Sequence, residues 1–268
     1  HRRSCLRWLG REGRRGRCCR RSGRPRRAGR RGRRRRRGAP GRAGACRPRA
    51  RALFTKEPET LEWIDRMQQG AVLWDVGANV GTYTVYAAVA RRAKVVAFEP
   101  SVFNLEFLAR NININDIVNA VTLVPVPLSD CTKISEMRLS SSEWGGALST
   151  FGETYDGNGD PLVQIFGYQM PGLTMDDAKQ IFSLAQPDFM KIDVDGIEAL
   201  ILAGGEEVLS GASSVLIEIN DDFESQAVNC ELILKRLGFT LKEKRQSDFE
   251  IRDNSDHFTT FNQIWTRD

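Results

Sequence analysis

What most constrains this chain is a regular alternation of apolar runs with helical stretches. Ala71 to Val76 is an apolar run that closes in the glycine-rich turn Asp75-Val76-Gly77-Ala78-Asn79-Val80-Gly81. A helical stretch rich in Tyr and Ala follows from Gly81 to Arg91, and a second apolar run, Lys94 to Glu99, stops at Pro100. Leu105, Leu108 and Ile112 recur at helical spacing, and Val121 to Val126 reads as a third strand. Asp188 to Asp193 reads as a fourth strand, with a helix from Gly196 to Leu209. Ser214 to Asn220 reads as a fifth, with a helix ending before Gly238. Phe239–Lys244 and Thr259–Thr266 close the chain as two β-like runs with no helix between them. Pro58 followed by Leu61, Ile64 and Met67 predicts a short amphipathic lead-in helix.

Strand, helix, strand, helix at this spacing means βαβ units, hence an α/β fold around a mostly parallel sheet with helices on both faces. Continuous Val/Leu/Ile runs suit strands buried on both sides. The last two strands should form an antiparallel pair at one edge. Residues 131–172 break the alternation with Ser, Gly and short β-like pieces, Ile134–Leu139 and Val163–Tyr168. This insertion follows the third strand on the side that carries the ligand crevice in open α/β sheets, so we expect a lid or substrate-binding element.

The 268 residues carry 40 Lys+Arg and 34 Asp+Glu, a net +6, but two different polymers share that average. Residues 1–51 hold 23 Arg and one acid, Glu12, whereas 52–268 hold 17 basic and 33 acidic groups, a net −16. We therefore expect an arginine- and glycine-rich disordered tail over 1–51, foreign to the fold, and one catalytic domain over 52–268. A nucleic-acid-binding arm and a transit peptide are the other readings of the tail. Only Cys131 and Cys230 belong to the acidic body, which suits a reducing, cytoplasmic compartment. No run reaches the length of a membrane span and no secretory signal is evident. With no CxxC pair and two His, His1 and His257, no zinc site is expected.

The turn after the first strand carries the cofactor chemistry. Gly77 and Gly81 permit close backbone approach, and the loop opens a helix N-terminus suited to an anionic group. Asp75 ends the first strand where it could receive an ammonium, and Glu99 ends the second where it could accept hydrogen bonds from both ribose hydroxyls. The dinucleotide fingerprint G-x-G-x-x-G fails because Asn79 stands where the second Gly belongs, which disfavours NAD, and no P-loop is present. An acid two residues before the first Gly repels a pyrophosphate and fits a zwitterionic amino-acid tail joined to adenosine: S-adenosylmethionine.

Read together, LWDVGANVGTY (Leu73–Tyr83), AFEPS (Ala97–Ser101), NININ (Asn111–Asn115), LSD (Leu128–Asp130), PDFMKIDVDGIEALILAGG (Pro187–Gly205), LIEIN (Leu216–Asn220) and NQIWTR (Asn262–Arg267) resemble the FkbM-type methyltransferases. The resemblance implies a class I, Rossmann-like fold with the seventh strand antiparallel. It also implies S-adenosylmethionine as cofactor and O-methyl transfer, often to sugar hydroxyls of glycans or glycosylated metabolites. Carried over, Asp75, Gly77, Ala78, Asn79, Gly81 and Thr82 would hold the methionine part, and Glu99 the ribose. Pro100 and Ser101 would shape the adenine edge, with Ser129 and Asp130 nearby. The family more often has Glu where this chain has Asp195, and the arginine run has no counterpart in it.

A sugar hydroxyl is a poor nucleophile at neutral pH, so a general base helps. Asp193, at the end of the fourth strand, is our candidate base or orienting group. Asp195-Gly196-Ile197-Glu198 reads as a D-x-x-E helix cap rather than a catalytic motif. Lys191 and Glu218 sit inside strands that should be adjacent and central, and buried charges occur almost only as pairs, so a Lys191–Glu218 contact that positions Asp193 is expected. Asp193, Asn220 and Asp221 could hold Mg²⁺, but such a strand-end cluster is commonly turn chemistry and no metal is expected. His257 reads as a solvated loop residue.

Two alternative functions remain: a nucleic-acid methyltransferase, and a non-catalytic RNA-binding protein using the arginine tail. Against the first, D/N-P-P-Y/F is absent after the fourth strand, where Asp193-Val194-Asp195-Gly196 stands, no Pro-Cys dipeptide exists, and the acidic body repels phosphate.

Overall fold

The computed structural model of the chain describes residues 57–246 and 259–267. The arginine-rich segment, with the readings placed on it, and His257 lie outside the described residues.

The lead-in helix α1 (Pro58–Arg66) precedes β1 (Val72–Val76), α2 (Thr82–Arg91), β2 (Lys94–Phe98), α3 (Val102–Ile114) and β3 (Val121–Val124). Then come β4 (Lys133–Leu139), β5 (Ser149–Phe151), β6 (Phe166–Gly172) and α4 (Met175–Phe182). The chain returns to the main sheet through β7 (Phe189–Ile192), α5 (Glu198–Ala203), α6 (Glu206–Ser210), β8 (Ser214–Asn220), α7 (Glu224–Arg236), β9 (Thr240–Arg245) and β10 (Thr260–Thr266).

The main sheet has seven strands in the order β3-β2-β1-β7-β8-β10-β9. β1 pairs in parallel with both β2 and β7, and β7 pairs in parallel with β8, whereas β10 runs antiparallel to β8 and to β9. The fold is therefore the mostly parallel, Rossmann-like sheet expected, with its antiparallel pair at the edge. Because the strand order reverses at β1, the sheet is crevassed at the C-terminal ends of β1 and β7.

Each face of the sheet has its own core, because alternate residues point to opposite sides. Leu73, Val95, Ala97, Leu216 and Ile264 pack against α1, α2 and α3 through Ile64, Val85 and Leu108. Trp74, Val96, Phe98, Met190, Ile192, Val215 and Ile217 pack on the other face against Met175, Ala178, Ile201, Leu202, Leu209 and Leu234.

The insertion folds as a three-stranded antiparallel sheet, β5-β4-β6, joined to the second core by Met137, Leu139 and Phe151. Its third strand, β5, is too short for periodicity to reveal. Two further features depart from expectation. Helix α4 was not anticipated, although Thr174 caps it by accepting from Asp177 N–H at 2.9 Å, a signal present in the sequence. The single helix expected over Gly196–Leu209 is two short ones, α5 and α6, broken at Gly204-Gly205. Glycine disfavours a helix interior, and here a Cβ at Gly204 would lie 2.2 Å from the Ser129 carbonyl oxygen.

No helix among the described residues is long and apolar enough to cross a membrane.

Candidate active site

The loop after β1 places two cavities side by side. The first is lined by Val76, Gly77, Asn79, Phe98, Glu99 and Pro100 on one side and Val126, Pro127 and Leu128 on another. Gly146, Ala147 and Ser149 of the insertion cover it, leaving about 60 Å³. The second, about 260 Å³, is polar and is lined by Asp193, Asp195, Glu198, Glu218, Asn220 and Gln226 among others. Gly77, Asn79, Ala147, Asp193 and Asp195 belong to both walls.

Gly77 makes this junction possible. It has φ +82°, and a Cβ there would sit 1.9 Å from the Asp193 carbonyl oxygen. Only glycine lets the loop lie this close to the end of β7. Asn79 also adopts the left-handed region at φ +51°. Its amide N–H donates to Glu99 Oε2 at 2.7 Å and its side-chain Nδ2 to the Gly146 carbonyl at 2.9 Å. Gly81 serves a different purpose: a Cβ there would meet Leu108 Cδ1 at 2.4 Å, so its smallness lets α3 pack.

Glu99 faces the first cavity and is 4% exposed. It accepts from the N–H groups of Asn79 and Ser101 (2.8 Å) and from Asn104 Nδ2 at 3.5 Å. Burial nevertheless pushes its carboxyl up to about 7, against the pull of those donors. Asn104, unremarked in the sequence, is buried. It donates to the Gly146 carbonyl at 3.2 Å and accepts from Gly145 N–H at 2.9 Å, tying the insertion to Glu99. No spacing rule could have found its role, because its partners in the insertion are 41 residues or more away.

Other expected cofactor residues lie elsewhere. Asp75 lines neither cavity: strand parity turns it to the α2 face, where it is buried and accepts from Thr84 Oγ1 at 2.5 Å. Burial raises its carboxyl above the usual range, although Lys191 opposes the shift. Ala78, Thr82, Ser101, Ser129 and Asp130 are not in the cavity walls either. Ser129 is buried and donates to Asp130, and Asp130 is paired with Lys133 at the surface. Val126-Pro127-Leu128, just before them, supplies that wall instead.

The Lys191–Glu218 pair is corrected by the register. Lys191 stands opposite Asp75 on β1 and Leu216 on β8, two residues short of Glu218. Its ammonium bonds Asp193 Oδ2 at 2.5 Å and lies 4.9 Å from the Tyr83 ring centroid. Lys191 is 1% exposed. Burial alone lowers a lysine, but the Asp193 and Asp75 carboxylates outweigh it and hold this one above its ordinary value. Glu218 lines the polar cavity together with Asp193.

The capping expectation for Asp195 also changes. The residue sits at φ +63°, and its carboxylate accepts from the N–H groups of Leu148 (2.7 Å) and Ser149 (3.4 Å) in the insertion. Glu198 does not complete the box either: it accepts from the N–H groups of Val194 (3.2 Å) and Gly196 (3.1 Å) rather than from Asp195. The helix begins only at Glu198, and the Asp195 carboxylate bonds the insertion instead of capping it. Burial raises Glu198 to about 7.

These residues fit an adenosyl sulfonium ligand. A buried carboxylate reaches the first cavity for a ribose diol, Phe98, Val126, Pro127 and Leu128 offer apolar surface for a base, and Gly77 and Asn79 border the place where both cavities meet. The first cavity is smaller than usual ligand pockets, with Gly146, Ala147 and Ser149 of the insertion in its wall.

Comparison with known proteins agrees. The chain is 26% identical over 190 residues to the hexuronic acid methyltransferase AglP of Haloferax volcanii, covering 70% of this chain and 72% of that one. Among solved structures, precorrin-6y C5,15-methyltransferase of Geobacter metallireducens overlaps with TM-score 0.46 at 15% identity, over 79% of this chain and 87% of that one. An rRNA methylase of Streptococcus thermophilus overlaps with TM-score 0.48 at 11% identity, over 78% and 94%. Neither overlap carries an argument about substrate. The methyltransferase FkbM domain, by contrast, matches residues 75–241. The chain belongs to the FkbM methyltransferase family and is an S-adenosylmethionine-dependent methyltransferase.

Proposed function

We propose that the protein O-methylates a sugar hydroxyl on a glycan or glycosylated metabolite, with the cofactor in the first cavity and the acceptor in the second. The observation that carries this reading is the shared wall: Asp193 borders both cavities, at the one place where a donor and an acceptor could meet. AglP, a sugar-acid methyltransferase by name, supports the acceptor class.

When bound, the cofactor supplies an electrophilic methyl on sulfonium sulfur. Glu99 would hold the ribose, and Gly77 and Asn79 the amino-acid part. Asp193 would orient the acceptor hydroxyl and take up its proton when the methyl is transferred. Lys191, bonded to Asp193, fixes the direction of that carboxylate. Asp195 holds the insertion over the junction and limits water there. We expect no nucleic-acid acceptor, since a polyphosphate meets the acidic wall unfavourably. We place the reaction in the cytoplasm, a reading supported by two cysteines, Cys131 and Cys230, that are free thiols.

The test is incubation of the full chain with methyl-labelled S-adenosylmethionine and a panel of glycosides. A labelled methyl ether is the expected product. Cofactor binding without label in any sugar would sink the proposal.

A further inference from the structure

The insertion holds one residue in a conformation that its side chain disfavours. Leu148, immediately before β5, has φ +60°, the left-handed region that glycine and asparagine enter readily and a bulky side chain does not. Both of its backbone polar groups are engaged. Its N–H donates to Asp195 Oδ2 at 2.7 Å, and its carbonyl accepts from Ser140 N–H at 3.3 Å. Asp195 is itself at φ +63°, and the nearby Gly146 carbonyl accepts from Asn79 and Asn104. A strained backbone persists only where its surroundings over-determine it, and such residues gather where ligands are gripped.

The side chain shows what the strain is for. Leu148 is 50% exposed, so packing within the protein does little to offset its backbone cost. It lines the second cavity and not the first. It is the only large apolar side chain in that cavity's described lining, which otherwise consists of glycines, Ala147, Thr260, amides and acids. Exposure is graded across this lining: Glu198, Asn220 and Gln226 are buried, whereas Leu148 stands on the solvent side. A sugar that sets its ring among the buried polar groups therefore directs what it carries past Leu148.

We propose that Leu148 is a specificity-determining residue for the acceptor and packs against an apolar aglycone carried by the methylated sugar. The ring hydroxyls engage the polar lining, and the aglycone covers the Leu148 side chain on its way to solvent. Removing a half-exposed leucine and a matching apolar surface from water is worth about a five- to tenfold gain in affinity. The preferred acceptor is then a glycoside of an apolar alcohol rather than a free sugar. The inference rests on the reading that the second cavity takes the acceptor, and it is independent of the charge state of the surrounding acids.

The test measures methyl transfer by the full chain from labelled S-adenosylmethionine to matched methyl and hexyl glycosides of glucose, galactose and rhamnose. In a pair that is methylated, kcat/KM for the hexyl member should exceed that for the methyl member by about fivefold or more, mainly through KM. Leu148→Gly and Leu148→Asn both suit the left-handed backbone. In each, the hexyl advantage should fall to within about twofold, with kcat/KM for the methyl member little changed. Their thermal midpoints should equal or exceed that of the unsubstituted chain, because the strain is relieved. Equal use of both members of every methylated pair overturns the inference and leaves the sugar methyltransferase reading intact. A hexyl advantage that survives in both variants does the same. Equal losses on both members, with a lowered midpoint, make Leu148 a brace of the loop and also overturn it. Label in none of the glycosides, with cofactor still bound, overturns both readings.

Discussion

The two cavities share a wall and are built in opposite ways. The first cavity, which we propose takes the cofactor, has at one side a cluster of residues close in sequence. Gly77, Asn79 and Glu99 lie on one βαβ unit, and the Glu99 carboxylate is held by N–H groups from Asn79, 20 residues away, and Ser101, two away. The second cavity, which we propose takes the acceptor, is braced by contacts gathered from afar: Asn220 reaches Asn158 across 62 residues, and Asp195 reaches Leu148 across 47. A backbone-built site is fixed by the fold and suits a cofactor that does not change. A site assembled from an insertion and strand ends can change its ligand without changing the sheet.

Breaking the comparison at its hinge should have the largest effect. In Gly77→Ala the new Cβ has the Asp193 carbonyl oxygen at 1.9 Å and a φ of +82°, so both halves lose their geometry. Stability should fall by about 3 kcal/mol or more by denaturant titration, with cofactor binding lost. Unaltered binding would show that the halves are independent.

Asp193→Asn should leave cofactor affinity within a few-fold but lower kcat by about 10²–10⁴, the usual worth of a positioned general base. Equal losses in both would make Asp193 a cofactor residue rather than an acceptor one. Lys191→Met removes the buried counter-charge of Asp193 and Asp75 and should destabilise the fold by about 3–5 kcal/mol, as loss of one partner from a buried pair does.

A pH series separates the halves further. Glu99 and Glu198 are each raised from 4.5 to about 7 by burial. Between those values the folded protein holds protons that the unfolded chain releases, so these groups reduce stability as pH rises from 4.5 through about 7. Thermal midpoints of the ligand-free protein should drop over that window, and Glu99→Gln with Glu198→Gln should flatten the drop. Cofactor affinity should run the other way, because a ribose diol donates to the ionised Glu99; it should rise with pH and become flat above about 7. The smallest effect is expected for Asn104→Ala, which frees the insertion from Glu99. A roughly two- to fivefold rise in KM for the cofactor, with acceptor KM little changed, would fit the cost of about one hydrogen bond.

The same contrast decided what could be read in advance. The cofactor loop, the strands of the main sheet and the antiparallel closing pair follow from local patterns: apolar runs, Gly-rich turns and Pro stops. Glu99 and Asp193 were legible because each ends a strand. Asp75 lies outside both cavity walls, because its sequence position next to the loop does not report which face of the sheet it takes. Strand parity with Leu73 puts it beneath, against Thr84. The Lys191–Glu218 pair failed on register: adjacency of two strands says nothing of a two-residue offset, and that offset gave Lys191 to Asp193. Asp195 looked like a cap because its competing partners, Leu148 and Ser149, lie in an insertion whose path no periodicity revealed. Asn104 and Gln226 carry no motif at all, and only the folded chain gives them meaning.

The near-contact at Gly77 has a consequence for how such an enzyme diversifies. The cofactor turn and the end of β7 behave as one rigid joint, so neither can drift without dislodging the other. The loops at 145–149 and 157–158 hang from that joint by side-chain tethers and backbone carbonyls. They resemble the replaceable jaw of a tool whose handle is fixed. New acceptor preferences should therefore arise by exchange within the jaw, while substitutions at the joint are removed before they can be tried on any substrate.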